Sequence, residues 1–309
     1  MSTVNYSPID LSQLPTPQVV ETLDFESIYS ERKAAMVALW PEEQQADIAE
    51  ALTRESNPMS KLLQENAYRE MVLRNRINNA AKAVMLATAT ASDLDNLVAN
   101  EPYNIQRLII DQGDFNAIPP VPPTYESNNE LRRRAQLAPR RYSTAGPADS
   151  YRFWALTASP DVADASITSP APCEVVVTVL SRSGNGVPQG DTINAVNAVL
   201  NDENIRPLTD FVTVQAATAV NYSIDAELTL YYGAGSEAVL KEANNRLDQF
   251  LADTHKLGHD ITLAGITAAL FAPGVQNVQL NAPVADIVID ATQISHLNSR
   301  TVIVSGRNE

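Results

Sequence analysis

TAGPADSYRFWALTASPDVADASITSPAPCEVVVTVLSRSGNGVP, residues 144–188, decides how this chain folds. It reads as one compact helix–strand–strand unit. Glu174 to Leu180 (EVVVTVL) is an unbroken β-prone run, as expected of a strand covered on both faces. Part of the pattern returns at an offset of 113 residues, where SPDVADASITSP (159–170) aligns without gaps with APGVQNVQLNAP (272–283). Pro160 falls on Pro273, Val162 on Val275, Ile167 on Leu280 and Pro170 on Pro283. The same offset carries Glu174–Val177 onto Ile287–Asp290. Each copy follows a helix-like segment, PADSYRFWALTA and DITLAGITAALF. Two small tandem α+β domains sharing a helix–strand–strand unit are therefore expected, over 147–219 and 220–309.

The rest of this half fits that reading. Ile193, Val196 and Leu200 mark a helix, and Val212, Val214 and Ala216 alternate as in a strand. Ile224, Ala226, Leu228, Leu230 and Tyr232 alternate strictly with polar neighbours, which predicts a strand with one wet face. Ser236 is placed to cap a helix with the stripe Val239, Leu240, Ala243, Leu247, Phe250 and Leu251, and Gly258 to end it.

Residues 1–100 read as helical. An apolar stripe runs from Val19, Val20, Leu23 and Ile28 through Met36, Val37 and Leu39, and Pro41 is suited to open the next helix. Asn57 can cap, and the fixed backbone angle of Pro58 suits the first helical position. Met59, Leu62, Leu63, Ala67 and Met71 then recur at three-and-four spacing on one face. The Ala-rich stretch NNAAKAVMLATATA reads as a packing surface, and a short helix from Ser92 carries Leu94 and Leu97. Residues 101–146 break the pattern. Pro119, Pro120, Pro122 and Pro123 favour an extended, stiff connection, followed by a short basic helix with five arginines, Arg132, Arg133, Arg134, Arg140 and Arg141. The fold class expected is α+β: a helical N-terminal region, a proline-rich linker, then the two tandem domains.

Composition narrows the function. At 309 residues and 44% hydrophobic the chain can bury real cores, but with 6% aromatics it packs on Ala, Val, Leu and Ile. A formal charge of −15 argues against nucleic-acid binding, which needs a net basic face. The lone Cys173 excludes an internal disulfide framework and a cysteine-ligated zinc site. MSTVNYSPIDLSQLPTP has neither a basic start nor an apolar stretch, so no secretory signal is expected, and no run of about 18 apolar residues predicts a membrane span. The reading is a soluble chain made and used from the cytoplasm.

Catalytic patterns are incomplete. His255 and His259 in HKLGH have helical-face spacing, but Lys256 stands where a zinc peptidase needs glutamate, and Gly258 interrupts the helix. SRSGNGVPQGDT lies between a strand and a helix, as phosphate-binding loops do, but its glycines are off register and no lysine follows. There is no GxSxG, and Cys173 follows Pro172 with no local base. The arginine cluster stands out. It is either a solvated helix paired with the chain's own carboxylates or a docking strip for an acidic neighbour, since guanidinium groups bind carboxylates in bidentate fashion.

PTPQVVETLDFESIYSERKAAM, ESNPMSKLLQENAYREMVLRNRINNAAKAVMLATATASDLDNLV, STAGPADSYRFWAL, VADASITSPAPCEVVVTVL, RPLTDFVTV and HKLGHDITLAGITAALFAPGVQNVQL occur in an order and spacing that resemble the baseplate J-like family of P2-like contractile-tailed phages. Where that family often has glycine before the EVVV-like strand, this chain has Cys173. The resemblance implies a structural subunit of the baseplate wedge in a viral tail, with no enzymatic activity and no cofactor. It further implies several copies in a sixfold ring around the central spindle, coupling host attachment to sheath contraction. The helices would bundle with the I-type tail protein and the lysozyme-like sheath initiator, and the C-terminal domains would touch neighbouring copies. Nucleic acid and membrane are not expected partners. Partner contacts are expected at Arg132, Arg133, Arg134, Arg140 and Arg141, and at Leu62, Leu63 and Met71. The alternatives are a metal-dependent hydrolase and a small adaptor module.

Overall fold

The computed structural model describes residues 9–308 apart from Thr144 and Ala234; the start of the chain, where no signal is expected, and Thr144 of the deciding stretch lie outside the described residues. The chain divides into two compact units, Met1–Gln106 and Arg107–Glu309.

The first unit is helical: α1 (Phe25–Ala38), α2 (Glu42–Ala51), α3 (Pro58–Ala83) and α4 (Ala91–Ala99). Asp24 starts α1 by accepting a hydrogen bond from the Ser27 amide at 2.8 Å, so Val19, Val20 and Leu23 lie ahead of the helix rather than in its stripe. Pro41 takes the cap position before α2, one residue earlier than expected. At α3 the expected start is observed: Asn57 accepts from the Met59 amide at 2.9 Å and Pro58 opens the helix. Leu63 and Ala67 bury against Ile28, Tyr29 and Leu52, with Met59 and Met71 packed beside them. Leu62, placed on that face by spacing, is instead exposed. A buried amide, Asn78, binds both backbone groups of Glu21 (3.0 and 2.9 Å) and clips the segment before α1 to α3.

In the second unit the proline-rich stretch is not a stiff extended connection. It folds back as a hairpin of β1 (Ile109–Asp111) and β2 (Thr124–Tyr125), continued by a bridge between Asp114 and Val121. Gly113 permits the return with φ +69°, and a Cβ there would lie 2.3 Å from the Val121 carbonyl oxygen. The basic segment follows as α5 (Asn128–Leu137) and a 3-10 turn (Ala138–Tyr142), started by a reciprocal cap between Ser127 and Glu130.

The deciding stretch forms α6 (Ala148–Ala158), β3 (Val162–Thr168) and β4 (Glu174–Ser181). Val177 to Ser181 are all buried, so β4 is covered on both faces as expected. After α7 (Gly190–Leu200), β5 (Phe211–Ala216) completes a sheet of order β3-β4-β5, with β4 antiparallel to β3 and parallel to β5. The second sheet draws on β6 (Thr218–Tyr231), α8 (Ser236–Thr254), α9 (Leu263–Leu270), β7 (Val275–Ala282) and β8 (Gln293–Asn308). Its order is β7-β6-β8, with β6 antiparallel to β7 and parallel to β8. Ile224, Ala226, Leu228 and Leu230 are buried against α8 and α9, each large one contributing about 1.5–3 kcal/mol. Tyr232 lies beyond the strand and is exposed.

The repeat is therefore present as α6-β3-β4 and α9-β7-β8. Val162 and Val275, both buried, open equivalent edge strands. The copies differ in the third element. β4 occupies the centre of its sheet, whereas the centre of the second is already held by β6. Ile287–Asp290 consequently forms only a bridge from Ile287 to Ile261, and the strand starts at Gln293 on the far side of β6.

Two contacts join the family-like motifs. Gly146 (φ +63°) lies against Asp210, whose carboxylate accepts the Tyr151 hydroxyl at 2.6 Å. Burial first, then that hydrogen bond, pushes the Tyr151 phenol well above its usual value. A Cβ on residue 146 would approach Asp210 Oδ2 to 2.8 Å. Gly146→Ala should thus lower stability by about 2 kcal/mol, from left-handed strain plus the lost fit, in urea denaturation. An unchanged midpoint would show that this clasp yields freely. His255, at the end of α8, is held below the ordinary histidine value mainly by desolvation, with His296 adding repulsion against the Ser295 backbone bond. The unfolded chain then binds the proton more readily. His255 contributes stability above pH about 6.5 that is lost as pH falls below it, and His255→Gln should flatten that part of a melting-temperature profile.

Candidate interaction surfaces

The arginine cluster is built on α5 and the turn after it, and most of its reach is inward. Glu130, three residues into α5, accepts from Arg182. Burial opposes its charge, but Arg182 and the Ser127 amide outweigh that and hold the carboxyl below its ordinary range. Arg134 lies one helical turn on and points into the unit. Its Nε and Nη2 donate to the two Glu126 oxygens at 2.7 and 2.8 Å, a bidentate pair with side chains 4% and 1% exposed. Glu126 also accepts from the Leu108 amide, and its backbone carbonyl accepts from Arg107 at 2.6 Å, so the pair locks the base of the hairpin. Arg133 donates to Asp164 on β3 at 2.5 Å, and Asp164 in turn accepts from the Leu257 amide at 3.3 Å.

These contacts correct the expected strip. Arg134 is buried and presents no guanidinium outward, and Arg133, partly exposed, is engaged with Asp164 within its own unit. Arg132 is half-buried and bonded to Asn129 at 3.0 Å. Arg141 stacks on the Tyr142 ring, 4.6 Å from its centroid, and Arg140 is exposed. Of the helix residues, Leu63 belongs to the core and Met71 packs against it, while Leu62 faces outward.

What spacing missed is the other side of α3. Leu62, Tyr68, Val72, Leu73 and Ile77 are 48–62% exposed, and Val84 at the C-cap is 71% exposed, a cluster of exposed apolar side chains along one helix. The signal was there to read: Val72 and Leu73 fall away from the face of Met59, Leu63, Ala67 and Met71. The Ala-rich stretch continues this face, with Ala80 exposed and Ala81 and Ala83 half-buried.

The catalytic fragments resolve as structure. His255 ends α8 and His259 lies past the left-handed Gly258 (φ +72°), so the two imidazoles do not share a helical face. Among the described residues no group of three or more His, Cys, Asp or Glu is arranged to hold a metal ion. The glycine-rich loop is anchored by the chain's own carboxylate: Asp161 accepts from the Ser181 and Thr192 hydroxyls at 2.8 and 2.9 Å. Cys173 is exposed at φ +65°, the conformation for which glycine is the easier residue. No helix is long and apolar enough to cross a membrane among the described residues.

Breaking the buried pair tests its role. Arg134→Met leaves the Glu126 carboxylate buried without its partner and should cost about 3–5 kcal/mol in chemical denaturation. Replacing both, Arg134→Met with Glu126→Leu, should restore much of that loss; a single variant as stable as the parent would refute the role assigned to the pair.

Three family models match the chain in order: the Baseplate J-like N-terminal domain over residues 55–114, the central domain over 143–216 and the C-terminal domain over 222–304. Baseplate protein J of Escherichia phage P2 is 48% identical over 301 residues, covering 97% of this chain and 99% of that protein. A chain in the cryo-EM structure of the anti-feeding prophage (AFP) baseplate, 6-fold symmetrised, is similar with a TM-score of 0.41 and 13% identity, over 58% of this chain and 44% of that one. The chain belongs to the Baseplate J-like family, and it is a structural baseplate protein rather than an enzyme.

Proposed function

We propose that this chain is a subunit of the baseplate wedge of a contractile phage tail. Several copies surround the central spindle in a sixfold ring that couples host attachment to sheath contraction and DNA ejection. The chain works in the virion, at the tail baseplate. In this reading residues 1–100 form the wedge core and 101–146 a connecting region with a basic segment. Two α+β domains follow, over 147–219 and 220–309, and contact neighbouring copies. The helical region bundles with an I-type tail protein and a lysozyme-like sheath initiator.

The observation that supports this best is the apolar face of α3. A helix that buries Leu63 and Ala67 and also exposes Leu62, Leu73 and Ile77 has a second face without a partner inside its own unit. Arg140, the exposed member of the arginine cluster, is retained as a proposed contact to an acidic neighbour, with Arg132 and Arg141 beside it. Arg133 and Arg134 are bonded to Asp164 and Glu126 of their own unit, so their substitution would disturb folding.

The test is sedimentation of a lysate from cells producing the phage, probing fractions for this chain. It should travel with tail particles, and Leu62→Asp should reduce its incorporation at least tenfold while the purified protein melts as the parent does. A chain that stays at the top of the gradient as free protein would overturn the assignment. Full incorporation of Leu62→Asp would overturn the role of the α3 face.

A further inference from the structure

The first unit carries two exposed features that are complementary to each other yet are separate surfaces of one compact body. One is the outer face of α3. Arg69 and Arg76, seven residues and thus about two helical turns apart, run down its middle. Leu62, Leu73 and Ala80 flank them on one side, Tyr68 and Val72 on the other. Arg69 pairs with Glu65, both largely exposed, and Arg76 is exposed. The face is apolar with a basic ridge.

The other is a groove between α1 and α2. It has a volume of about 450 Å³ and is lined by Ala34, Val37, Ala38, Ala49 and Leu52 with a few polar neighbours. Three alanines leave room for a helix to approach closely. Its rim is acidic. α2 carries Glu42, Glu43, Asp47 and Glu50 and no basic residue, and all four acids are exposed. Glu42 and Glu50 each stand three residues before a lining residue, Gln45 and Thr53, which places them on the lip. Lys33 also lines the groove, but its ammonium turns onto the Tyr29 ring, 4.3 Å from the centroid. Glu50 is held only loosely, 3.8 Å from Arg54 with both side chains largely exposed.

We propose that the occupant of this groove is α3 of a second copy of the chain. Leu73 and its apolar neighbours seat on the alanines, and Arg69 and Arg76 meet Glu42 and Glu50. Because the two surfaces differ, the contact is head-to-tail, and successive copies each use one ridge and one groove, the arrangement that closes into a ring when the rotation permits. This names a partner for the α3 face and rests on the reading of that face as an assembly surface. A partner protein of other sequence on the same face is the competing outcome.

The experiment uses the purified full-length chain and two charge-reversed forms, Arg69→Glu with Arg76→Glu, and Glu42→Arg with Glu50→Arg. Sedimentation velocity across a concentration series should show self-association of the parent that weakens as salt is raised. Each variant alone presents like charges at the contact and should associate at least tenfold more weakly. An equimolar mixture of the two pairs opposite charges again and should recover association. Parent protein that stays monomeric, or variants that associate as well as the parent, would overturn the proposal. If a charge variant unfolds, a disulfide trap decides instead. In a Cys173→Ser background, Ile77→Cys on one copy and Ala49→Cys on another should form a covalent dimer under mild oxidation, and its absence would overturn the proposal. Tail incorporation that depends on Leu62 while the chain remains monomeric would assign the face to another protein and leave the assembly reading intact.

Discussion

The second unit depends on one strand path. Residues 211–231 run as β5 and then β6, interrupted only at the buried Ala217. As β5 the path is the edge of the first sheet; as β6 it is the centre of the second. At the changeover the Ala217 amide donates to Val179 on β4 and the Thr218 amide to Thr292 just before β8, both at 3.0 Å. Successive amides of an extended chain point to opposite sides, so one step exchanges the partner strand. Leu180, Ala217 and Ile294 bury together at that step, and Ala163, Ala219 and Leu257 close around them. The two sheets share a core there, which is why the small repeated units form one compact body.

The polar contacts around this junction act in the same sense. Asp164 on β3 receives Arg133 from α5 and the Leu257 amide from beyond α8, so a single carboxylate ties the basic helix, the first sheet and the second. Arg134 and Glu126 secure the hairpin base beside them. Buried ion pairs add little net stability over apolar packing, but losing one partner is costly because it leaves a buried charge uncompensated. Two of the arginines that stand out in an acidic sequence, Arg133 and Arg134, therefore hold its own parts in place.

The two units meet different demands. The first builds a modest core from α1, α2 and α3 and leaves a long helix with two apolar faces, one spent inside and one outside. The second buries its apolar strands under α8 and α9 and exposes polar strand faces, as with Asn277, Gln279 and Asn281 of β7. A protein that functions by assembly can carry such unpartnered surface, because the partner supplies the burial that the isolated chain lacks.

Much of this was legible in local sequence. The Asn57–Pro58 start of α3, the doubly covered run of β4 and the alternation of β6 follow from backbone geometry and side-chain period, which act over a few residues. The family resemblance was legible for the same reason, being carried by motifs in order. The proline-rich stretch was misread because proline's fixed angle favours extension, whereas the return at Gly113 depends on pairing Asp114 with Val121. Arginines next to one another in sequence were indistinguishable until the fold buried Arg134 and left Arg140 in solvent. Sequence by itself determined most of the helices and strands outside the proline-rich stretch and residues 287–290, and the family to which the chain belongs. Only the tertiary structure decided which strand takes the centre of each sheet, which charges are paired and which face of α3 lacks a partner. Those outcomes depend on contacts between residues distant along the chain, and no local pattern encodes which of them are made.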